Sequence, residues 1–293
     1  MEKNKEMATG SEGNKKGIKT ISRFRWSLIV LFFFVTVLMT FTYYIDIPAL
    51  ISIESLLITA FLFVLVLLHG IIRYGKKNML IFFLIVFAVS FSFENLSIRT
   101  GFPFGFYHYS PSLGLMTVPV VIIFAYFAMG YLSWMLAHII TGQYTRRLGG
   151  KQIFMVPFIA AFIMVMWDLT MDPISSTLQK LWVWHNPGAY FGVPVVNFFG
   201  WFFVVFVFYQ LFAIYLSKYD TMRPGEDNAV HNKAFWMETP VVYGIMALGN
   251  ILSIFYQCND TTLSMALVTV FTMIFVTIVS SQMILNKPFP VSS

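Results

Sequence analysis

The sequence predicts an all-α fold, a polytopic membrane bundle of about eight transmembrane helices with both termini cytoplasmic, and three observations predict it. Of 293 residues, 58% are apolar and only 11% charged, with a mean hydropathy of +0.75, whereas a soluble domain holds about 45–50% apolar and about 25% charged residues. The apolar residues fall in charge-poor runs long enough to cross a hydrocarbon core of about 30 Å as helices. The 19 Lys and Arg also sort by loop, seventeen on one side and two on the other, the asymmetry that marks a cytoplasmic face. A water-soluble globule is excluded, and the formal charge of +6 becomes a mark of topology rather than of nucleic-acid binding. The single cysteine, Cys258, permits no intramolecular disulfide and no thiolate metal cluster.

In chain order, residues 1–25 are polar and rich in Lys, Gly, Ser and Asn, the composition of a disordered cytoplasmic tail. A single transmembrane domain is expected over 26–286, with spans at 26–45, 50–72, 78–97, 117–141, 152–175, 194–217, 238–258 and 261–285. The first run starts too late and runs too long for the apolar region of a cleaved leader, and no small-residue cleavage site follows it. Barrel strands would alternate in polarity, which 79–89 and 202–208 do not. Residues 287–293 form a second cytoplasmic tail. Two loops on the outer side, 98–116 and 176–193, carry Gly, Pro and aromatic residues, a composition for shaped loops rather than linkers.

Charged side chains at membrane depth are costly and are candidates for function. Three stand out. Glu94 lies near the outer end of span three, and Asp168 and Asp172 lie in the outer third of span five, four residues apart and so on one helix face. Asn197 and Trp201 share a face near the outer start of span six, while Arg99, Tyr107 and His108 come from the adjoining loop. The expected arrangement is a polar pocket built from 94–201, lined by spans three, five and six and roofed by the two loops. A structural Glu94–Arg99 ion pair is an alternative reading, as is a purely helix-ending role for Asp172 before Pro173.

His69 and His138 sit toward the cytoplasmic ends of their spans, far in depth from His108 and His185, so four histidines do not converge on one metal. No metal is expected. An aspartate-rich magnesium–diphosphate site would need two acidic clusters and basic partners, and here there is one cluster with only Arg99 and Lys180 at that depth.

These residues carry a family resemblance. Glu94, the run from Arg99 to Gly105, Tyr107-His108-Tyr109 and Val118-Pro119 resemble the first signature of the membrane carotenoid-biosynthesis family, which includes carotenoid 1,2-hydratases and the bisanhydrobacterioruberin hydratase. Trp167-Asp168, Asp172-Pro173, Trp182-Val183-Trp184, the run from Gly188 to Pro194, Asn197 and Gly200-Trp201 resemble the second. The chain departs from the pattern at Asn95-Leu96-Ser97 and at Tyr126, where the family often has tryptophan.

The resemblance implies a multi-pass cell-membrane enzyme, a hydratase (a lyase), that adds water to a terminal double bond of an acyclic, lipid-dissolved carotenoid. It implies no cofactor, and as partners the carotenoid, water, membrane lipids and other enzymes of the pathway. Such a reaction needs an acid, stabilisation of a tertiary carbocation and a positioned water. Asp168 with Asp172, or Glu94, is the expected acid. Phe104, Tyr107, Trp184 and Tyr190 are expected to face the cation, and Asn197 and His108 to hold the water. The alternatives are another isoprenoid-modifying reaction, prenyl transfer or cyclisation, in the same pocket, or a proton-coupled transporter or lipid-binding protein.

Overall fold

The computed structural model describes residues 22–39, 48–111, 116–220, 233–255 and 257–289, the side chains of 48–55 excepted. The predicted tails lie outside them up to residue 21 and from residue 290. Hydrocarbon offers the backbone no hydrogen-bond partners, so the apolar runs satisfy their amides internally as helices. They are α1 (Ser22–Met39), α2 (Pro48–Thr100), α3 (Val120–Ile140), α4 (Gln152–Asp172), α5 (Val195–Tyr219), α6 (Lys233–Leu252), α7 (Asp260–Thr269) and α8 (Phe275–Asn286). A wide turn at Val270–Ile274 joins α7 and α8 into one span. Because α1 begins at Ser22, Arg23 and Arg25 belong to the first helix and not to the tail.

Seven helical stretches among the described residues are long and apolar enough to cross a membrane, and one of them, Leu56–Thr100, has 45 residues, about twice the length one crossing needs. Gly75 divides it. Its φ of 76° and ψ of 163° are a combination that essentially only glycine adopts, and the chain reverses there. Met79 packs onto Gly70, where an added Cβ would lie 2.3 Å from the Met79 Cε, although nine residues of straight helix would hold the two about 13 Å apart. Phe63 and Phe83 both touch the Phe127 ring, each with centroids 5.4 Å away. The arms of α2 on either side of Gly75 are thus separate crossings, spans two and three of the sequence reading, which makes eight among the described residues.

Helix α3 is central. Its apolar window is 72% buried, against 28% for the first and last spans. Phe199 and Phe271 are among the strongly exposed side chains, as a bundle whose solvent is lipid allows.

Prolines place the ends of the helices that frame the site. Pro119 and Pro194 are extended residues just before α3 and α5, where a missing N–H leaves nothing unsatisfied. Pro173 cannot donate to the carbonyl four residues back, and after it α4 opens into a π-helical turn, Pro173–Leu178. The freed Leu169 carbonyl accepts instead from the Tyr190 hydroxyl at 3.0 Å. Pro157, inside α4, frees the Ile153 carbonyl in the same way, and Gln210 Nε2 donates to it at 3.1 Å.

The two shaped loops pair with each other. Strands β1 (Tyr107–Tyr109) and β2 (Trp182–Trp184) form an antiparallel ribbon in the register Tyr107↔Trp184, His108↔Val183, Tyr109↔Trp182. A small cluster of Phe104, Tyr107, Trp184, Val193 and Val204 seats it on the bundle.

Candidate active site

Glu94 lies on the last turns of the second α2 arm and is buried. The loop after it is folded back by Ser97, whose Oγ accepts from the Phe104 amide at 3.1 Å and donates to the Gly105 carbonyl at 2.9 Å. Gly200 of α5 lets this loop approach, because a Cβ there would lie 2.6 Å from the Pro103 carbonyl oxygen. Strand β1 then delivers two hydroxyls to the carboxyl: Tyr107 donates to Glu94 Oε2, as does Tyr109 at 2.8 Å. Tyr126 of α3 donates to Oε1 at 2.7 Å. Burial first, and then the neighbouring Glu94 charge, hold the Tyr107 and Tyr109 phenols well above their usual range, so both remain donors.

Asp168 and Asp172, one turn apart on α4, are both buried. Asn197, in the first turn of α5, bridges them: its Nδ2 donates to Asp168 Oδ2 at 3.1 Å and to Asp172 Oδ2 at 2.7 Å. Trp182 Nε1 donates to Asp172 Oδ1 at 2.9 Å. Among the described residues, Asp168 Oδ1 and Trp167 Nε1 are buried without a hydrogen-bond partner.

Glu94, Asp172 and Asn197 face one part-open cavity between the ribbon and the bundle. Its other walls are mainly aromatic, with Ile122, Ala125 and Met171 between the rings. Trp201 stacks on Tyr126 with centroids 4.4 Å apart and meets Trp167 edge to face at 6.0 Å. Phe104 lies 6.0 Å from Trp201, and Trp184 packs on Tyr107 at 4.9 Å. No lysine or arginine lines the cavity among the described residues.

The cavity thus gathers Glu94, Asp172, Phe104, Tyr107, Trp184, Asn197 and Trp201. Asp168 stands behind Asn197, outside the lining. Arg99 is exposed, and the Glu94–Arg99 pair considered from sequence is replaced by the three tyrosines. Five residues turn a helix through about 500°, so Arg99 leaves on another face. Alternation along β1 puts His108 on the exposed side, opposite to Tyr107 and Tyr109. Tyr190 is occupied with the Leu169 carbonyl; burial, then the Asp168 charge, push it up to about 12, which keeps it a donor.

Tyr109, Tyr126, Trp167 and Trp182, named in the family resemblance but given no site role from sequence, also line the cavity. The alternation in Tyr107-His108-Tyr109 and Trp182-Val183-Trp184 was a signal for Tyr109 and Trp182.

At the other end of the bundle the buried carboxylates of Glu238 and Asp220 are ion-paired. Glu238 of α6, which sequence reasoning also missed, takes a two-pronged pair from Arg25, Nε to Oε2 at 2.7 Å and Nη2 to Oε1 at 2.9 Å. Arg146 meets Asp220 at 3.0 Å, and Arg73 lies over the Trp236 ring at 4.9 Å. His69 donates from Nε2 to the Phe235 carbonyl at 3.0 Å, so its Nδ1 accepts from Tyr131 at 2.7 Å. His138 donates to the Gln143 carbonyl at 2.6 Å. These two imidazoles are remote from the ribbon histidines.

No curated protein and no solved structure matches the chain. The profile of a family described as carotenoid biosynthesis protein matches residues 54–276, well over half of the chain and all of the cavity. An eight-crossing membrane bundle with an acid and aromatic cavity at one end therefore belongs to the carotenoid biosynthesis protein family, and its role lies in that biosynthesis.

Proposed function

We propose that this protein is a cofactor-independent hydratase that adds water across the terminal double bond of an acyclic carotenoid. The observation that carries the reading is the cavity itself: two carboxyls, an amide and three tyrosine hydroxyls among aromatic faces, with no cation in the lining among the described residues. Asp172 is the acid. Its O–H proton passes to the less substituted alkene carbon, and the π pair becomes the new C–H bond. The tertiary cation left behind meets the faces of Trp201, Trp184 and Phe104. Glu94 accepts three hydroxyl donors and serves as a fixed acceptor and counter-charge rather than as a proton source. Water held by Asn197 adds to the cation, and its surplus proton returns to Asp172. Asp168 is a positioning residue that orients Asn197.

The loop-by-loop reading of the sequence assigns seventeen of 19 Lys and Arg to the side away from Glu94 and Asp172, and by the positive-inside rule this favours cytoplasmic termini and an outward-facing cavity in the cell membrane.

Expression in cells that make an acyclic carotenoid is expected to yield products heavier by one water per modified end, carrying heavy oxygen when cells grow in labelled water. Cyclisation would leave the mass unchanged, prenyl transfer would add an isoprenoid unit, and a transporter would leave the carotenoid as it was. Unmodified substrate in the presence of correctly inserted protein sinks the hydratase reading for that substrate.

A further inference from the structure

We infer that His108 and His185 form a two-imidazole site for a borderline divalent transition metal such as zinc, which cross-links the ribbon over the cavity. Both side chains are exposed. His108 Nδ1 and His185 Nε2 lie 2.9 Å apart, with ring centroids at 5.1 Å and planes tilted by 46°. The rings therefore meet through their nitrogens rather than by stacking.

One of the two nitrogens must carry a proton for the other to accept it. When a metal binds, the shared proton leaves that nitrogen, to the ring's other nitrogen or to solvent, and both lone pairs turn to the ion. Tetrahedral zinc with bonds of about 2.0–2.1 Å holds two ligand nitrogens about 3.3 Å apart, so the pair has to open by only about 0.4 Å. The two imidazoles suit zinc or copper and not magnesium, which prefers oxygen ligands. Water completes the coordination.

The backbone makes the pair more than a chance meeting. His108 is the middle residue of β1, and the amide of His185 donates to the Phe106 carbonyl at 2.9 Å, just past the end of β2. The metal therefore bridges two segments 77 residues apart in sequence. The residues next to the ligands, Tyr107 and Trp184, face the cavity. A metal on the outer face of the ribbon thus staples the layer that roofs the site, from the side away from the carboxyls.

The test uses the full chain, purified in detergent without a polyhistidine tag and titrated with zinc chloride, copper chloride and, as control, magnesium chloride. Saturable binding of one zinc per chain is expected, with tighter binding of copper and none of magnesium. The unfolding midpoint should rise by several degrees, and amide exchange across 105–111 and 181–187 should slow. His108→Ala and His185→Ala should each lose all three effects while keeping the metal-free midpoint, and His108→Gln serves as a second variant at that position. The inference is overturned by the absence of saturable zinc binding, by either alanine variant binding as well as the parent, or by binding that leaves ribbon exchange unchanged.

Discussion

The two ends of the bundle bury charge in opposite ways. At the Gly75 end, Glu238 is matched by Arg25 with two hydrogen bonds, Asp220 by Arg146, and Arg73 by an indole face. At the ribbon end, three carboxyls are buried with tyrosines, tryptophan and asparagine as partners, and among the described residues no cation lines the cavity. An ion pair in a low dielectric is held in one state, and breaking it is what costs. Carboxyls supported only by neutral donors keep the freedom to bind, release or face a positive charge. The first end reads as structure and the second as chemistry, and the comparison can be broken or sharpened by substitution.

The largest effect is expected at the ribbon end. Asp172→Asn should lower hydrated product by about 10²–10⁴-fold, the range for a lost general acid, with the protein still folded and inserted, as measured by mass spectrometry of extracted carotenoid and by unfolding in detergent. Glu238→Ala should do the reverse: about 3–5 kcal/mol of stability is lost because Arg25 stays buried without its partner, while activity per folded molecule holds. Exchanging both partners for apolar residues, Arg25→Met with Glu238→Leu, should restore most of that stability. Gly75→Ala lies between the ends. No neighbour stands within 4 Å of the new Cβ, so its expected loss of about 1–3 kcal/mol comes from backbone strain alone. The smallest effect is expected for Tyr126→Phe, which removes one of three hydroxyls from Glu94. A cost of about 1 kcal/mol corresponds to a severalfold drop in rate with little change in the unfolding midpoint. Equal loss of activity in Glu238→Ala and Asp172→Asn, corrected for folded protein, would erase the distinction between the ends.

The fold was legible because hydrocarbon leaves so few choices, and charge gaps located the crossings. The reversal at Gly75 was legible as well, because Arg73, Lys76 and Lys77 interrupt the apolar run between 72 and 78. At the site, Glu94, Asp172 and Asn197 could be read because polar atoms at that depth are rare. Tyr126 was less visible, as a tyrosine among aromatic residues looks like lipid-facing surface until its hydroxyl is seen on a carboxyl. Arg99 and His108 were misplaced for the opposite reason: closeness in sequence to the site says nothing about the helix face or strand side on which a residue leaves.

The cavity has one more consequence. Its carboxyls lie among Trp167, Trp182, Trp184 and Trp201, so a reacting end group would enter there while the rest of a long polyene stays in the bilayer. On the hydratase reading, a molecule with two reactive ends has to be released and turned round between reactions. Such an enzyme is distributive: singly modified molecules accumulate first, and doubly modified ones follow only as unmodified carotenoid in the membrane runs down.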